Sequence, residues 1–321
     1  MSEYNCIVVL GPTAVGKTYI GVNIASHFDL PVISADSRQV YKGLDLGSGK
    51  DLDEYTVTVK NADGSEEKKE VPHYLIDIAS LDQEYNVFNY QMDFYKVFNS
   101  LDKIPVVVGG TGMYLDAVIR GYDFVYVPEN AELRKDFENK SLEELGQMLL
   151  KLKPDLHNKS DLLERERVIR ALEIQLYMKS SECELLRKKQ LMRPVIKPYV
   201  IGTTVSRDVL HKNIKIRLRE RIELGMIEEV EGLHKNGASW ERLEKLGLEY
   251  RFVSQYLEGK ISSKEEMEEL LYHAISQFAK RQETWFRGMQ KKGVTINWLP
   301  LMEDKKERLK VALCEVQSKV F

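Results

Sequence analysis

Hydrophobic and polar positions along the chain follow two rhythms. In the first third, short unbroken apolar runs alternate with stretches of helical spacing. Cys6-Ile7-Val8-Val9-Leu10 is wholly apolar and rich in β-branched residues, the pattern of a strand buried on both faces in a parallel sheet. A glycine-containing turn follows, then apolar positions at helical spacing through Tyr19, Ile20, Val22, Ile24 and Ala25. Pro31 to Ala35 reads as a second strand, and Ile104 to Val108 as a third that runs into Gly109-Gly110. Such alternation predicts an α/β fold with a parallel sheet.

After Gly121 the texture becomes helical. Ser141-Leu142-Glu143-Glu144 is a capping box ahead of Leu145, Met148, Leu149 and Leu152. Apolar residues recur at helical spacing from Asp161 to Met178, and Pro194 and Pro198 close this region. Tyr199 to Gly202 then reads as a returning strand. The division that follows is a core of residues 1–121 plus 199–321, with residues 122–198 as a helical insertion. Further helices are predicted over 211–224, over 226–235, and from a capping box at Ser263 to near Gly293. The last carries an apolar stripe through Met267, Leu270, Leu271, Ala274, Phe278 and Trp285. Val294 to Trp298 alternates like a final strand. Residues 51–71 break the pattern: Tyr55 to Val59 alternates, Asn61-Ala62-Asp63-Gly64 is turn chemistry, and Glu66 to Glu70 is charged. Together they suggest a solvated surface hairpin.

Composition narrows the class. With 321 residues there is room for about two domains and a sizeable core. Lys and Arg number 47 against 50 Asp and Glu, a net charge of −3, so a generally cationic nucleic-acid binder is excluded while a local basic face is not. Cys6, Cys183 and Cys314 lie far apart with no CxxC, which argues against a disulfide framework or zinc site and fits a reducing cytoplasm. No apolar run reaches membrane-spanning length and no signal peptide is evident, so a cytoplasmic protein without a membrane partner is expected.

Gly11-Pro12-Thr13-Ala14-Val15-Gly16-Lys17-Thr18 fits G-x-x-x-x-G-K-[ST], and it lies between a predicted strand and a predicted helix. Its glycines let successive N–H groups converge on phosphate oxygens, and the helix N-terminus adds positive partial charge. Lys17 supplies a point charge, and the Thr18 hydroxyl is within reach of a Mg²⁺ ion. The fold class expected is therefore α/β, a P-loop NTPase-like parallel sheet core with a mostly helical insertion. Ser34-Ala35-Asp36-Ser37-Arg38-Gln39-Val40-Tyr41 follows the second strand, and Gly109-Gly110-Thr111-Gly112-Met113-Tyr114 ends the third. In an open parallel sheet both face the ligand crevice. A carboxylate there suits proton acceptance or metal binding; the alternative is that Asp36 and Thr111 cap a turn and a helix.

Three basic segments stand out. Arg217 and Arg221 share a helical face, while Arg219 points elsewhere; the pair suits a diphosphate, or a solvated face with Glu220, Glu223 and Glu228. Arg167 and Arg170 share a face of an insertion helix, for ion pairing within it or for a phosphate backbone. Phe278 to Arg287 interleaves bases with aromatics, which suits an unstacked base or a helix with one core face.

Taken together, Gly-Pro-Thr-Ala-Val-Gly-Lys-Thr at 11–18, Ser-Ala-Asp-Ser-Arg-Gln-Val-Tyr at 34–41, Val-Pro-His-Tyr-Leu-Ile-Asp-Ile at 71–78, Val-Gly-Gly-Thr-Gly-Met-Tyr at 108–114, Arg-Val-Ile-Arg-Ala-Leu-Glu-Ile at 167–174 and Ala-Lys-Arg-Gln-Glu-Thr-Trp-Phe-Arg at 279–287 carry a resemblance. Nearly end to end, the chain resembles the tRNA dimethylallyltransferases, the isopentenyl transferases of tRNA adenosine. The resemblance implies transfer of a dimethylallyl group from dimethylallyl diphosphate to N6 of adenosine 37 in a tRNA anticodon stem-loop. It implies that Lys17, Thr18 and Arg217 hold the diphosphate with Mg²⁺, that Asp36 is the general base, and that Thr111 meets the target nucleotide. Asp36, Ser37, Arg38 and Gln39, then Glu166, Arg167 and Arg170, then Lys280, Arg281 and Gln282 match the family's tRNA-contact segments. A monomer is expected. The chain departs from the family at Glu166, where glutamine is common, at Ser276, at Ser48-Gly49-Lys50-Asp51, and at Gly247-Leu248-Glu249-Tyr250-Arg251. The rival readings are an adenylate isopentenyltransferase acting on a free nucleotide, a small-molecule kinase or NTP-hydrolysing switch, and a non-catalytic RNA-binding protein. The insertion and the 279–287 segment argue against the first, and intact Lys17, Thr18 and Asp36 against the last.

Overall fold

The computed structural model describes residues 3–60, 64–124, 126–154, 162–180, 183 and 193–321. It forms two compact units, Met1–Gly121 with Val195–Phe321, and Tyr122–Pro194. The second unit thus ends at Pro194 rather than at 198.

The first unit is built on a parallel sheet. Its strands are β1 (Cys6–Leu10), β2 (Val32–Ser34), β5 (His73–Tyr74), β6 (Val106–Gly109), β7 (Pro198–Gly202) and β8 (Asn297–Trp298), in the spatial order β5-β2-β6-β1-β7-β8. β1 is central and wholly buried. Because strand side chains alternate, Ile7 and Val9 enter one core while Cys6, Val8 and Leu10 enter the other. Helices α1 (Lys17–Phe28) and α12 (Lys305–Lys319) cover the first face through Ile20, Ile24, Ala312 and Val316. Helices α2 (Val87–Ser100) and α3 (Gly112–Ile119) cover the second through Tyr90, Phe94 and Leu115. Each buried Ile, Leu, Val or Phe among them contributes about 1.5–3 kcal/mol by leaving water.

Register positions the site. Leu10 pairs with Gly109 on one side and Gly202 on the other, and Ser34 pairs with Val108. Four strands therefore finish level, and the loops that leave them begin along one edge of the sheet. A third cluster joins α7 (Arg207–Glu223), α8 (Met226–Lys235), α9 (Trp240–Lys245), α10 (Leu248–Leu257) and the first half of α11 (Lys264–Lys291) to Val15 of the first loop.

Two sequence expectations change here. The buried face of α11 runs through Met267, Leu271, Ile275, Ala279, Gln282, Phe286 and Met289, whereas Leu270, Phe278 and Trp285 are 41%, 38% and 38% exposed. The stripe is rotated because α11 packs on the helical cluster along one half and on the sheet along the other. Ser263 caps it by accepting from the Glu266 N–H at 3.1 Å, but the Glu266 carboxylate accepts from Ser262, so only half of the box forms. The second change concerns residues 51–71. β3 (Thr56–Lys60) and β4 (Glu66–Glu70) do pair antiparallel as a separate ribbon, and the predicted turn at 61–63 lies outside the described residues. Tyr55, however, belongs to a 3₁₀ turn (Leu52–Tyr55) and is buried against the His73 ring.

The second unit contains α4 (Ala131–Phe137), α5 (Leu142–Leu152) and α6 (Arg165–Tyr177), packed through Phe137, Leu145, Leu149, Val168 and Leu172. Asp161, where the helical spacing begins, lies outside the described residues. The capping box at Ser141 is complete, with Glu144 N–H donating to Ser141 Oγ and Ser141 N–H to Glu144 Oε2. Buried Glu173 accepts from Arg134 Nε at 2.8 Å and from Arg170 Nη1 at 2.9 Å. Burial pushes its carboxyl up, but the two guanidinium groups outweigh that and hold it below the ordinary value.

Candidate active site

The loop after β1 forms the floor of the site. Ala14 and Gly16 take positive φ values of 61° and 78° on either side of Val15, a sequence of conformations that aims successive N–H groups one way. Gly16 is the natural residue there, since a Cβ would disfavour that backbone by about 1–2 kcal/mol. It stands at the N-cap of α1 with no side-chain cap, so the first turn's N–H groups remain open to an anion. Lys17 Nζ donates to the Pro12 carbonyl at 2.7 Å. Burial first, then the neighbouring Arg217 cation, pushes the Lys17 ammonium down to about 8. Arg217 comes from α7 and donates to Thr13 Oγ1. Its own value falls to about 10, through burial and the adjacent Arg221.

Above this floor is a cavity of about 350 Å³, whose walls include Lys17, Thr18, Asp36, Thr111, Arg217 and Arg221. Asp36 Oδ1 accepts from the Arg38 N–H at 2.8 Å, so the residue does cap the turn, and its second oxygen is left for the cavity. Thr111 occupies the N-cap of α3 yet makes no cap bond; its Oγ1 accepts from the Ser37 N–H at 3.0 Å and ties the two strand-end loops together. Ser37 and Arg38 also line the cavity.

Arg217 and Arg221 do not form a solvated face: both face the cavity, and Arg219 is exposed. Arg221 is buried and pairs with Asp51 at 3.1 Å. Its guanidinium lies so close over Gly49 that a Cβ there would stand 2.1 Å from Nη2. The loop that delivers Gly49 and Asp51 is pinned by Glu229, which accepts from the Leu46 and Gly47 N–H groups and from Tyr250 Oη. Lys50 anchors it further through Asp45 and Asp77.

Other residues matched to tRNA contact separate into two groups. Gln282 is buried: its Oε1 accepts from the Thr13 N–H and its Nε2 donates to the Gly110 carbonyl, both at 2.8 Å. Gln39 is buried as well, accepting from Ser34 Oγ and donating to the Gly49 carbonyl. These two amides hold the loops that shape the cavity, and Arg170 is similarly committed to Glu173 and the Val127 carbonyl. Lys280 and Arg281 are exposed, with Arg281 over the Phe278 ring. Glu166 and Arg167 are exposed in the second unit, where Arg167 pairs with Glu164 at 2.9 Å.

Sequence reading missed several wall residues, among them Asp51, Glu249, Lys245 and Arg251. The departures at 48–51 and 247–251 hinted at Asp51, Glu249 and Arg251, and no signal pointed to Lys245. Burial raises the Glu249 carboxyl against the pull of Arg221 and Arg217. Among the described residues no three His, Cys, Asp or Glu side chains group as a metal cluster, and no helix is long and apolar enough to cross a membrane.

A glycine-containing loop between strand and helix at the edge of a parallel sheet, with an arginine pair, a carboxylate and a threonine on the wall of the cavity above it, defines an α/β protein with one polar cavity at its strand ends. A family model described as IPP transferase matches residues 39–289, and one described as isopentenyl transferase matches residues 4–60. A "tRNA dimethylallyltransferase 2" of Treponema denticola is 51% identical over 92% of this chain and 96% of its own length. A "tRNA dimethylallyltransferase 1" of Syntrophus aciditrophicus is 47% identical over 92% and 93%. The crystal structure of a tRNA isopentenylpyrophosphate transferase from Bacillus halodurans superposes with a TM-score of 0.66 at 28% identity, covering 99% of this chain and 97% of that one. The chain belongs to the IPP transferase family, the tRNA dimethylallyltransferases.

Proposed function

We propose that this protein transfers the dimethylallyl group of dimethylallyl diphosphate to N6 of adenosine 37 in a tRNA anticodon loop, releasing diphosphate. The observation that carries this reading is the convergence of the phosphate loop, Arg217, Asp36 and Thr111 on one cavity. In the proposed mechanism the N–H groups of the first turn of α1, Lys17 and Arg217 bind the diphosphate. Negative charge grows on that group as the C–O bond to the prenyl carbon breaks, so these contacts strengthen in the transition state. Asp36 accepts a proton from the attacking exocyclic amine, and Thr111 orients the base. The adenine must leave its stack to reach the cavity. Exposed Lys280 and Arg281 supply charge for the flanking phosphates.

Thr18 puts a hydroxyl oxygen on the cavity wall, which suits Mg²⁺ held by one protein oxygen together with phosphate. When bound, that ion would neutralise charge on the leaving diphosphate. The test is direct: incubate the protein with labelled dimethylallyl diphosphate and either unmodified tRNA or AMP. Label in tRNA alone is expected. Label in AMP alone would replace the acceptor, and ATP turnover without a prenyl donor would replace the reaction.

A further inference from the structure

The C-terminal helix α12 reaches the back of the phosphate loop with a buried side chain. Arg308 is 2% exposed, and its Nη1 donates to the Val15 carbonyl and to Thr203 Oγ1, both at 2.7 Å. Its Nε is buried without a partner. A buried guanidinium with an unpaired N–H is unfavourable for stability alone, because an apolar residue of similar volume would avoid the desolvation. Arg308 lies outside both matched family spans, 39–289 and 4–60.

The peptide geometry shows what the contact does. In a trans peptide the C=O and N–H point in opposite directions. The Val15 carbonyl and the Gly16 N–H belong to the same peptide unit, so holding that carbonyl against Arg308 turns the Gly16 N–H toward the cavity side of the loop. None of the described hydrogen bonds engages the Gly16 N–H. Thr203 fixes the other side of the clamp: it follows β7, and its N–H donates to the Leu10 carbonyl at the end of β1. The neighbouring Lys305 packs over Gly16 and places its ammonium on the Tyr19 ring, so α12 abuts the loop at more than one point.

We infer that Arg308 is a positioning residue for the diphosphate site, which acts by locking the Val15–Gly16 peptide with its N–H directed at the ligand. The inference rests on the reading of the loop as a diphosphate cradle. It predicts a specific pattern. Arg308→Met removes the clamp and keeps the volume. The dissociation constant for inorganic pyrophosphate with Mg²⁺, measured calorimetrically on the full chain, should rise about tenfold, or about 1.4 kcal/mol. Affinity for tRNA should stay within twofold. Arg308→Lys, which can still reach the Val15 carbonyl, should recover part of the loss. The Gly16 amide resonance should shift on adding pyrophosphate to the unsubstituted protein, and lose most of that response in Arg308→Met. Unchanged pyrophosphate affinity in a folded Arg308→Met would overturn the inference. So would loss of pyrophosphate and tRNA affinity in equal proportion, or an Arg308→Lys variant that is folded but no better than Arg308→Met. Failure of the unsubstituted chain to bind pyrophosphate would instead remove the cradle reading itself.

Discussion

Gln282 offers a sharp test of how the site is held together. Its single amide spans the two loops that must face each other across the cavity, accepting from Thr13 and donating to Gly110. Gln282→Leu keeps the shape and removes both bonds. The Gly110 carbonyl is buried, so leaving it unpaired costs about 1–3 kcal/mol, and the half-buried Thr13 N–H adds about 1 kcal/mol. The sum, about 2–4 kcal/mol, corresponds to a fall in Tm of roughly 4–16 °C for a unit of this size. Because Thr13 also receives Arg217, the donor site loosens with it, and KM for dimethylallyl diphosphate should rise about tenfold or more. Gln282→Glu keeps the acceptor for Thr13 but sets a carboxylate against the Gly110 carbonyl, so it should be no better than Gln282→Leu in Tm. Differential scanning calorimetry and steady-state kinetics with tRNA held saturating separate the effects. If Gln282→Leu melts normally, keeps its donor KM and binds tRNA weakly, Gln282 reaches RNA and the bridging account fails.

Five further outcomes are expected. Asp36→Asn retains the cap to Arg38 but not the base, so kcat should drop about 10²- to 10⁴-fold with tRNA affinity near normal; an unaltered rate would remove Asp36 from proton transfer. With Lys17 titrating at about 8, roughly nine-tenths is charged at pH 7 and one-tenth at pH 9, so donor affinity should weaken about tenfold across that interval, with proton uptake on binding in calorimetry. The same lowered value means that stability without donor rises as pH climbs from about 8 toward the ordinary lysine range. Glu173→Gln should destabilise the second unit by about 2 kcal/mol, seen as faster amide exchange in α6; the native contribution is present above the ordinary carboxylate pKa and lost as pH falls through the depressed one. Lys280→Glu should weaken tRNA binding and reduce its salt slope by about one, leaving donor KM unchanged.

The local signals in the chain were strong where one run of residues fulfils one demand. An unbroken β-branched run such as Cys6 to Leu10 has no stable place except between two apolar layers, and the glycine-lysine spacing at 11–18 is dictated by what a phosphate needs from a backbone. Those signals announced the parallel sheet and the loop at its edge, whereas whether Asp36 and Thr111 were caps, and Arg217 part of a solvated face, stayed open until the structure set all three on one cavity wall. Reading α11 was harder, since a 28-residue helix that packs on two different partners carries two overlapping stripes, and the periodicity alone picked Phe278 and Trp285 over the buried Gln282 and Phe286. Residues far apart in the chain were illegible for a different reason. Gln282 against Thr13, Arg221 over Gly49 and Arg308 behind Val15 are meetings set by strand register and helix packing, and a polar side chain looks the same in sequence whether its partner is water or a carbonyl 293 residues away. The chemistry of the site was thus inherent in its amino acids, while the division between residues that face a ligand and those that hold the loops was decided only when the chain had folded, because burial forces each polar atom to find a partner inside.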